Sequence, residues 1–303
     1  MQIKDLSNFG RDIKGEIKFD YCIKKLNWFN IGGKAKIFFK PQNLKELKDF
    51  LLLYNKRGKI FILGAGSNVL FNDKIYEGVV IKLGSNFSNI SQLDDTKIIA
   101  GSSCSQKKLS EYAKFNNLSG MEFMSCIPGS IGGGLKMNSG CFGSEFKDVL
   151  ISIQTIDFNG NLNTYPVNKI EFKYRGNDLP KDLIFLSATF KGNPKSKEEI
   201  ENLMNKLKLR KEKAQPTKIK TGGSTFKNPI DKTNMKVWQL INSSLDIKKN
   251  FGDAYISEKH ANFFVNKRNA SFSDMKSLIE FVKNSVKIKT GIDIDLEIII
   301  VDK

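Results

Sequence analysis

Apolar positions recur at two periods along this chain, and the changes of period divide it into three stretches. Leu44, Leu47, Leu51 and Tyr54 fall at helical spacing behind Asn43, which can cap a helix that Gly58 would end. Lys59 to Leu63, Gly78 to Leu83 and Lys97 to Ala100 read as strands, and Ser105 starts a helix through Leu109, Tyr112 and Ala113 that ends near Gly120. The middle third is strand-rich. Ile151 to Phe158 and Leu162 to Val167 flank Asn159-Gly160, a strong hairpin signal, and Phe185 to Phe190 is a further strand. Pro194 and Lys195 read as a linker close to a domain boundary. A capping box of Ser196 and Glu199 then opens a helix carrying Ile200, Leu203, Met204 and Leu207. The last third predicts an α/β unit: a helix near Val237 to Ile241, a strand Asn262 to Val265, a helix Ser273 to Val286 and a strand Leu296 to Val301. The fold class expected is α+β, without strict βαβ repetition.

Composition narrows the function classes. A chain of 303 residues with 40% hydrophobic and 27% charged residues has the make-up of a soluble protein of two or three domains. No apolar run reaches the ~18 to 20 residues of a membrane span. Met1 to Gly10 lacks the basic, apolar, small-residue layout of a secretory signal, so a cytoplasmic protein is expected, with no membrane insertion. Cys22, Cys104, Cys126 and Cys141 show no C-x-x-C spacing and His260 lies far from them in sequence, which predicts reduced thiols and no metal. The formal charge of +17 suggests a polyanion partner. The lysines are scattered, however, and the densest run, Lys206 to Lys213, is interrupted by Leu207, Leu209 and Glu212. It reads as a solvated helix face, and no nucleic acid is expected. A general positive field still suits a phosphorylated ligand.

Two glycine-rich loops carry the first chemical signal. Gly64-Ala65-Gly66-Ser67-Asn68 follows a strand, so its backbone N–H groups could cradle a phosphate, or the glycines could serve a tight turn. A Rossmann fingerprint fails here, because the third glycine falls at Val69 and no helix pattern follows. Ile127-Pro128-Gly129-Ser130-Ile131-Gly132-Gly133-Gly134 packs four glycines together, with Asn138, Ser139, Gly140 and Gly143 soon after. Such density costs chain entropy and makes sense where backbone must approach a flat or charged ligand. Together the loops favour a nucleotide cofactor.

These segments, with G-M-E-F before the second loop and M-N-S-G-C-F-G-S-E after it, resemble the FAD-binding domain of the UDP-N-acetylenolpyruvoylglucosamine reductase family of peptidoglycan synthesis. Trp28 to Gly33, Tyr174-Arg175, the run Gly223 to Pro229, Ser257 to Asn266 and G-I-D-I-D-L-E near the C-terminus fit the same family in the same order. The resemblance implies a two-part FAD-binding domain of the PCMH (vanillyl-alcohol-oxidase) type, in residues 1–85, a part that the C-terminal tail could join, and residues 86–200. A C-terminal α/β substrate-binding domain would occupy 201–303. It implies noncovalent FAD held by Ile31, Gly32, Gly64, Ala65, Gly66, Ser67, Asn68, Ile127, Pro128, Gly129, Ser130, Gly132, Gly133 and Asn138. NADPH is implied as co-substrate, with a UDP-sugar as partner and a monomeric enzyme.

In that family NADPH reduces the flavin, which passes hydride to the methylene carbon of an enolpyruvyl ether while the neighbouring carbon is protonated. Hydride addition beside a carboxylate builds an enolate, which requires a permanent cation and a proton donor. Arg175 suits the first role because guanidinium grips a carboxylate bidentately, although a salt bridge is the competing explanation. Ser224 resembles the family's proton donor. It would need a neighbour such as Lys227 to relay its proton, and the alternative is a turn serine bonded to its own backbone. Glu297 resembles the third catalytic residue, and Asp295 stands where the family usually has Glu. Strand alternation would put Asp295 and Glu297 on one face, where they could equally be exposed edge charges. The resemblance assigns Tyr174, Lys227, Asn228, His260 and Asn262 to the substrate, with a structural role open for His260. The short interval from Arg175 to Ser224 matches the family branch that lacks a tyrosine-bearing lid loop, so that tyrosine contact does not carry over.

Two other readings compete. Another FAD-linked oxidase or dehydrogenase of the same cofactor fold would share the glycine loops, but the lone histidine lies outside the flavin segments and argues against covalent FAD. A basic nucleic-acid-binding protein would show clustered arginines with exposed aromatics, where this chain has scattered lysines.

Overall fold

The computed structural model describes residues 3–11 and 13–302. The chain folds as two compact units, each assembled from separated stretches. The first comprises Met1–Phe19, Ile37–Ala65 and Glu77–Lys211, and the second Asp20–Lys36, Gly66–Tyr76 and Glu212–Lys303. Residues 20–36 and 66–76, which the sequence places with the flavin segments, thus belong to the same unit as the C-terminal third. The Pro194 stretch is not a free linker: Asn193–Pro194 pairs antiparallel with Leu118–Ser119, and the boundary falls after Lys211, inside the helix Lys197–Ala214.

The first unit holds one whole sheet and most of another. One is antiparallel throughout, in the order Leu162–Pro166, Leu150–Asp157, Leu183–Lys191, Lys97–Gly101 and Ile90–Gln92. The predicted hairpin closes at Asn159-Gly160, where Gly160 takes φ 83. Helices Gln106–Phe115 and Ile131–Met137 contribute Leu109, Ala113, Ile131 and Leu135 to a core with Ile98, Ile153, Phe146 and Phe190. Ile131–Met137 was expected as loop; Ser130 caps it, its Oγ accepting the Gly133 N–H at 3.2 Å. Three glycines are tolerable there because the turn is anchored at both ends. Gly134 is also required by packing, since a Cβ would stand 2.3 Å from the ring of buried Phe146.

The second sheet has the order Glu16–Cys22, Lys34–Lys40, Tyr76–Ile81 and Lys59–Ile62. Its last two strands run parallel, Lys59 opposite Gly78 through Ile62 opposite Ile81. The helix Leu44–Tyr54 covers it within the first unit, burying Leu47, Phe50, Leu51 and Tyr54 against Phe39, Val79 and Ile81. Asn43 caps this helix as expected, accepting the Glu46 N–H at 2.9 Å. Its end differs from expectation. Asn55 in the left-handed region (φ 46) closes it three residues before Gly58, because Asn tolerates that conformation better than other side chains.

In the second unit, helices Val237–Ser244 and Phe272–Thr290 pack Val237, Leu240, Ile241, Met275, Leu278 and Val282 around Phe226 and Phe264. The C-terminal strand Ile299–Val301 pairs in parallel with Val69–Phe71, the strand that follows the first glycine loop in place of a helix. Short pieces, Ala254–Ile256 and Phe264–Asn266, form a hairpin beside them. Among the described residues no helix is long and apolar enough to cross a membrane.

Replacing Gly134 by Ala should lower stability by about 1–3 kcal/mol through overpacking against Phe146. Urea unfolding checks this, and an unchanged midpoint would mean that the Phe146 ring yields freely.

Candidate active site

In the second unit the Ser224 segment lies between two others, and backbone bonds hold it on each side. Ser224 bridges Phe263 and Phe226 bridges Leu296, both antiparallel. Thr225 donates its N–H to Asn262 O at 2.7 Å, the Lys227 N–H reaches Asp295 O at 2.8 Å, and the Glu297 N–H reaches Thr225 O at 2.8 Å. Asn262 makes the arrangement rigid. It is 3% exposed, its Oδ1 accepts the Phe226 N–H at 2.9 Å, and its Nδ2 donates to Phe226 O at 2.8 Å. Each side-chain polar atom of Asn262 therefore bonds the backbone beside Ser224.

Ser224 is half-buried, and among the described residues its hydroxyl has no hydrogen-bond partner. The turn-serine alternative required a bond to its own backbone. Lys227 is likewise half-buried and joins no ion pair among the described residues. Asp295 is exposed and Glu297 half-buried. Asn68, from the first glycine loop, donates Nδ2 to Glu297 O at 3.0 Å and so steadies the segment that bears this carboxylate. Asn228 Oδ1 accepts the Val237 N–H at 3.0 Å, tying the Ser224 segment to the start of the helix Val237–Ser244.

His260 is held by its ring. Its Nδ1 accepts the Asn262 N–H at 3.3 Å, which places the neutral imidazole's proton on Nε2, and the ring packs edge-on to Phe263 with centroids 4.8 Å apart. Burial pushes its pKa below the ordinary value of 6.5, so it is neutral near pH 7. Trp238, partly exposed, stands with its ring centroid 6.2 Å from that of His260.

Arg175 lies in the first unit, in the two-residue turn of the hairpin Phe172–Lys173 and Gly176–Asn177. It adopts φ 60, a left-handed conformation that costs an ordinary side chain roughly 1–2 kcal/mol. Its guanidinium sits 5.0 Å from the Tyr174 ring centroid and donates to Gly140 O at 3.3 Å. Asn138, fully buried and also left-handed, braces the hairpin: Nδ2 donates to Lys173 O at 3.3 Å and to Glu145 Oε2 at 3.0 Å, and Oδ1 accepts the Lys147 N–H at 3.1 Å. A backbone strain held this firmly next to a guanidinium points to function.

The glycine loops owe part of their composition to the protein itself. A Cβ on Gly64 would stand 2.6 Å from Ser130 Oγ, so the first and second loops meet inside the first unit. Gly66 abuts the carbonyl of Leu26, while Gly32 packs on Phe71, in the second unit with Ile31, which is fully buried. Ala65 and Ser67 are half-buried. Gly129 takes φ 153 and accepts the Gln106 N–H at 3.0 Å, while Ile127 is half-buried and Pro128 exposed. Exposed Gly133 has only Ser130 Oγ near its missing Cβ, at 3.4 Å. Backbone is thus open at Gly133, while Ser102 Oγ beside Gly132 is buried with no hydrogen-bond partner among the described residues. An orphaned hydroxyl next to accessible glycine backbone fits a polar, flat ligand such as FAD.

Sequence reasoning missed Ser102, Lys82 and Lys211. Ser102 follows a strand as one serine among several, and only its lack of a partner marks it. Lys211 lies in the run read as a solvated face, yet it is half-buried, donates to Cys126 O at 2.5 Å, and has its pKa lowered by burial. Near it, burial pushes the Cys141 thiol up to about 12. Among the described residues no cluster of His, Cys, Asp or Glu could hold a metal ion.

Residues 215–301 match the model of the UDP-N-acetylenolpyruvoylglucosamine reductase C-terminal domain, and residues 35–165 match an FAD binding domain. UDP-N-acetylenolpyruvoylglucosamine reductase of Pelagibacter ubique is 61% identical over 298 residues, 98% of this chain and 99% of the relative. The Rickettsia bellii protein of the same name is 46% identical over 286 residues, covering 94% of each. The crystal structure of the Thermus caldophilus reductase superposes with a TM-score of 0.80 at 27% identity, covering 95% of this chain and 99% of that one.

Two outcomes test the geometry. Asn262→Ala should cost about 2–4 kcal/mol in urea unfolding, because it removes two bonds and strands a buried N–H and C=O. Because the folded His260 holds its proton less tightly than the unfolded chain, wild-type stability should fall as pH drops below about 6.5 toward the folded pKa. His260→Gln should flatten that slope in unfolding measured from pH 7.5 to 5; an identical slope would assign it to other groups.

Proposed function

The chain belongs to the UDP-N-acetylenolpyruvoylglucosamine reductase family, and on that premise we propose that it reduces the enolpyruvyl ether of UDP-N-acetylglucosamine enolpyruvate. The product is UDP-N-acetylmuramate, a peptidoglycan precursor, and the reductant is NADPH. The observation that carries the reading is the hydroxyl of Ser224, without a hydrogen-bond partner among the described residues, on a segment clamped by Asn262 and bonded through Thr225 to the segment bearing Glu297. A proton donor must keep its hydroxyl available, and a serine serving only a turn would not.

Residues of the two glycine loops, Gly64 to Asn68 and Ile127 to Gly133, would hold FAD noncovalently, and the flavin would supply the hydride relay between NADPH and the methylene carbon of the substrate. Arg175 grips the adjacent carboxylate, where charge accumulates as the enolate forms; its guanidinium stays protonated throughout and suits a planar anion. Ser224 Oγ gives its proton to the carbon that bears the ether oxygen, which stays attached, completing the addition of one hydride and one proton across the double bond. The ammonium of Lys227, three residues on, is placed in sequence to relay a proton back to the serine. Glu297 polarises the enol from the neighbouring segment. Substitution of Glu by Asp at position 295 leaves this role with Glu297, since the Asp295 carboxylate is exposed.

Tyr174, Lys227, Asn228, His260 and Asn262 are assigned to the UDP-sugar. Neutral His260 offers an Nε2–H donor and is not needed as a base. Asn262 contributes by positioning the Ser224 segment.

The purified protein should be yellow, bleach with NADPH under anaerobic conditions, and recover its colour when the UDP-enolpyruvyl sugar is added. Absence of flavin would overturn the reading, and recovery only with other acceptors would remove the substrate assignment. Ser224→Ala should bleach at the wild-type rate and recover about 10²- to 10⁴-fold more slowly. Recovery at the wild-type rate would remove Ser224 from the mechanism.

A further inference from the structure

Three strands of the first unit end side by side, and their ends gather two lysines and a glycine loop. Lys40 closes the strand Lys34–Lys40, Lys82 follows Tyr76–Ile81, and Gly64 follows Lys59–Ile62 after one residue. The Lys82 N–H donates to Phe39 O and the Gly84 N–H to Pro41 O, both at 2.9 Å, so the first two strands advance in the same direction. The second and third are parallel as well, and the Leu63 N–H continues their ladder to Ile81 O at 2.8 Å. All three carboxyl ends therefore face the same way, the usual position of a ligand on parallel strands.

The Lys82 side chain folds over the loop, and its Nζ donates to Gly64 O at 2.5 Å. Its charged neighbour is a second cation, Lys40, and among the described residues neither ammonium has a carboxylate partner. The nearby carboxylate of Glu46 is occupied otherwise, accepting the N–H groups of Lys14 and Gln42 and the amide of Asn43. Burial and Lys40 together lower the Lys82 pKa. A desolvated ammonium beside a like charge is unfavourable in the protein alone. A chain that keeps it there, against a loop packed on Ser130, has a use for an anion at that spot.

We propose that Lys82, supported by Lys40, holds the diphosphate of the dinucleotide cofactor over the Gly64 loop. The assignment rests on the FAD reading above. It adds a charged contact to a loop that the sequence presents only as backbone. A diphosphate neutralises both lysines at once, and Nζ of Lys82 retains two donors beyond the one given to Gly64. The same placement makes the two lysines a liability in the FAD-free protein, and this separates a ligand contact from a structural one.

Full-length protein stripped of flavin is titrated with FAD for wild type, Lys82→Gln, Lys82→Arg and Lys40→Gln. Lys82→Gln should weaken FAD about 10- to 100-fold, as expected for loss of a charge-assisted hydrogen bond. Lys82→Arg should retain most of the affinity, and Lys40→Gln should lose less than Lys82→Gln. FAD-saturated Lys82→Gln should show the wild-type visible spectrum, because the contact is to the diphosphate and not to the ring. Its FAD-free melting temperature should equal or exceed that of the wild type. Unchanged FAD affinity, a shifted spectrum at saturation, or a lower FAD-free melting temperature would each overturn the assignment. Failure of the wild type to take up any flavin would overturn the functional reading with it.

Discussion

The second unit depends on one buried amide. Asn262 satisfies both backbone groups of Phe226, and through that bond pair three extended segments become one surface. None of the three has a regular ladder long enough to fix its register. The bridges at Ser224 and Phe226 are isolated, and the stretch from Ile292 to Ile298 has no strand of its own. A side chain that donates and accepts at a single residue substitutes for the missing ladder, and it does so in a dry core where competing water is excluded. Phe226 and Phe264 pack edge to face beneath it, so apolar burial and polar satisfaction act at the same point.

A different constraint governs the first unit. Its glycine loops are drawn close to other protein, Gly64 onto Ser130 and Gly134 onto Phe146, so their composition reflects close packing as much as ligand access. What marks the unit as a binding body is the set of groups left unsatisfied once packing is complete. Among the described residues these are the Ser102 hydroxyl, the open backbone at Gly133, and the ammonium of Lys82, bonded to Gly64 O but beside Lys40 and without a carboxylate. Arg175 is held in a left-handed turn by a hairpin that Asn138 braces from a fully buried position. Both units give up some local stability to keep polar groups available, as functional sites in natural proteins do.

The strongly periodic elements were legible in the sequence. Asn43 and Ser105 cap their helices as read, the Asn159-Gly160 hairpin forms, and the Ser196–Glu199 capping box opens its helix. Each of these signals acts within a few residues, where sequence neighbours are also spatial neighbours. Reading failed where distant chain decided. The helix Ile131–Met137 looked like loop because three glycines hide its apolar face, and the helix before Gly58 stops at Asn55 because that residue accepts a left-handed turn. The stretch around Pro194 looked like a linker but is recruited as an edge pair by Leu118–Ser119.

The order of motifs, and with it the family and the presence of an FAD binding domain, was available from the sequence alone, because such motifs are contiguous runs of residues. The residue types at Arg175, Ser224 and Glu297 were equally plain. Only the tertiary structure shows that the Asn262 amide bonds both backbone groups of Phe226, and that the Ser224 hydroxyl has no hydrogen-bond partner among the described residues. It also decided which of forty-nine basic residues sit half-buried without a carboxylate, as Lys82 does. The physical reason is the same in each case. Whether a polar atom is satisfied depends on partners brought in from remote parts of the chain, and no local pattern records them.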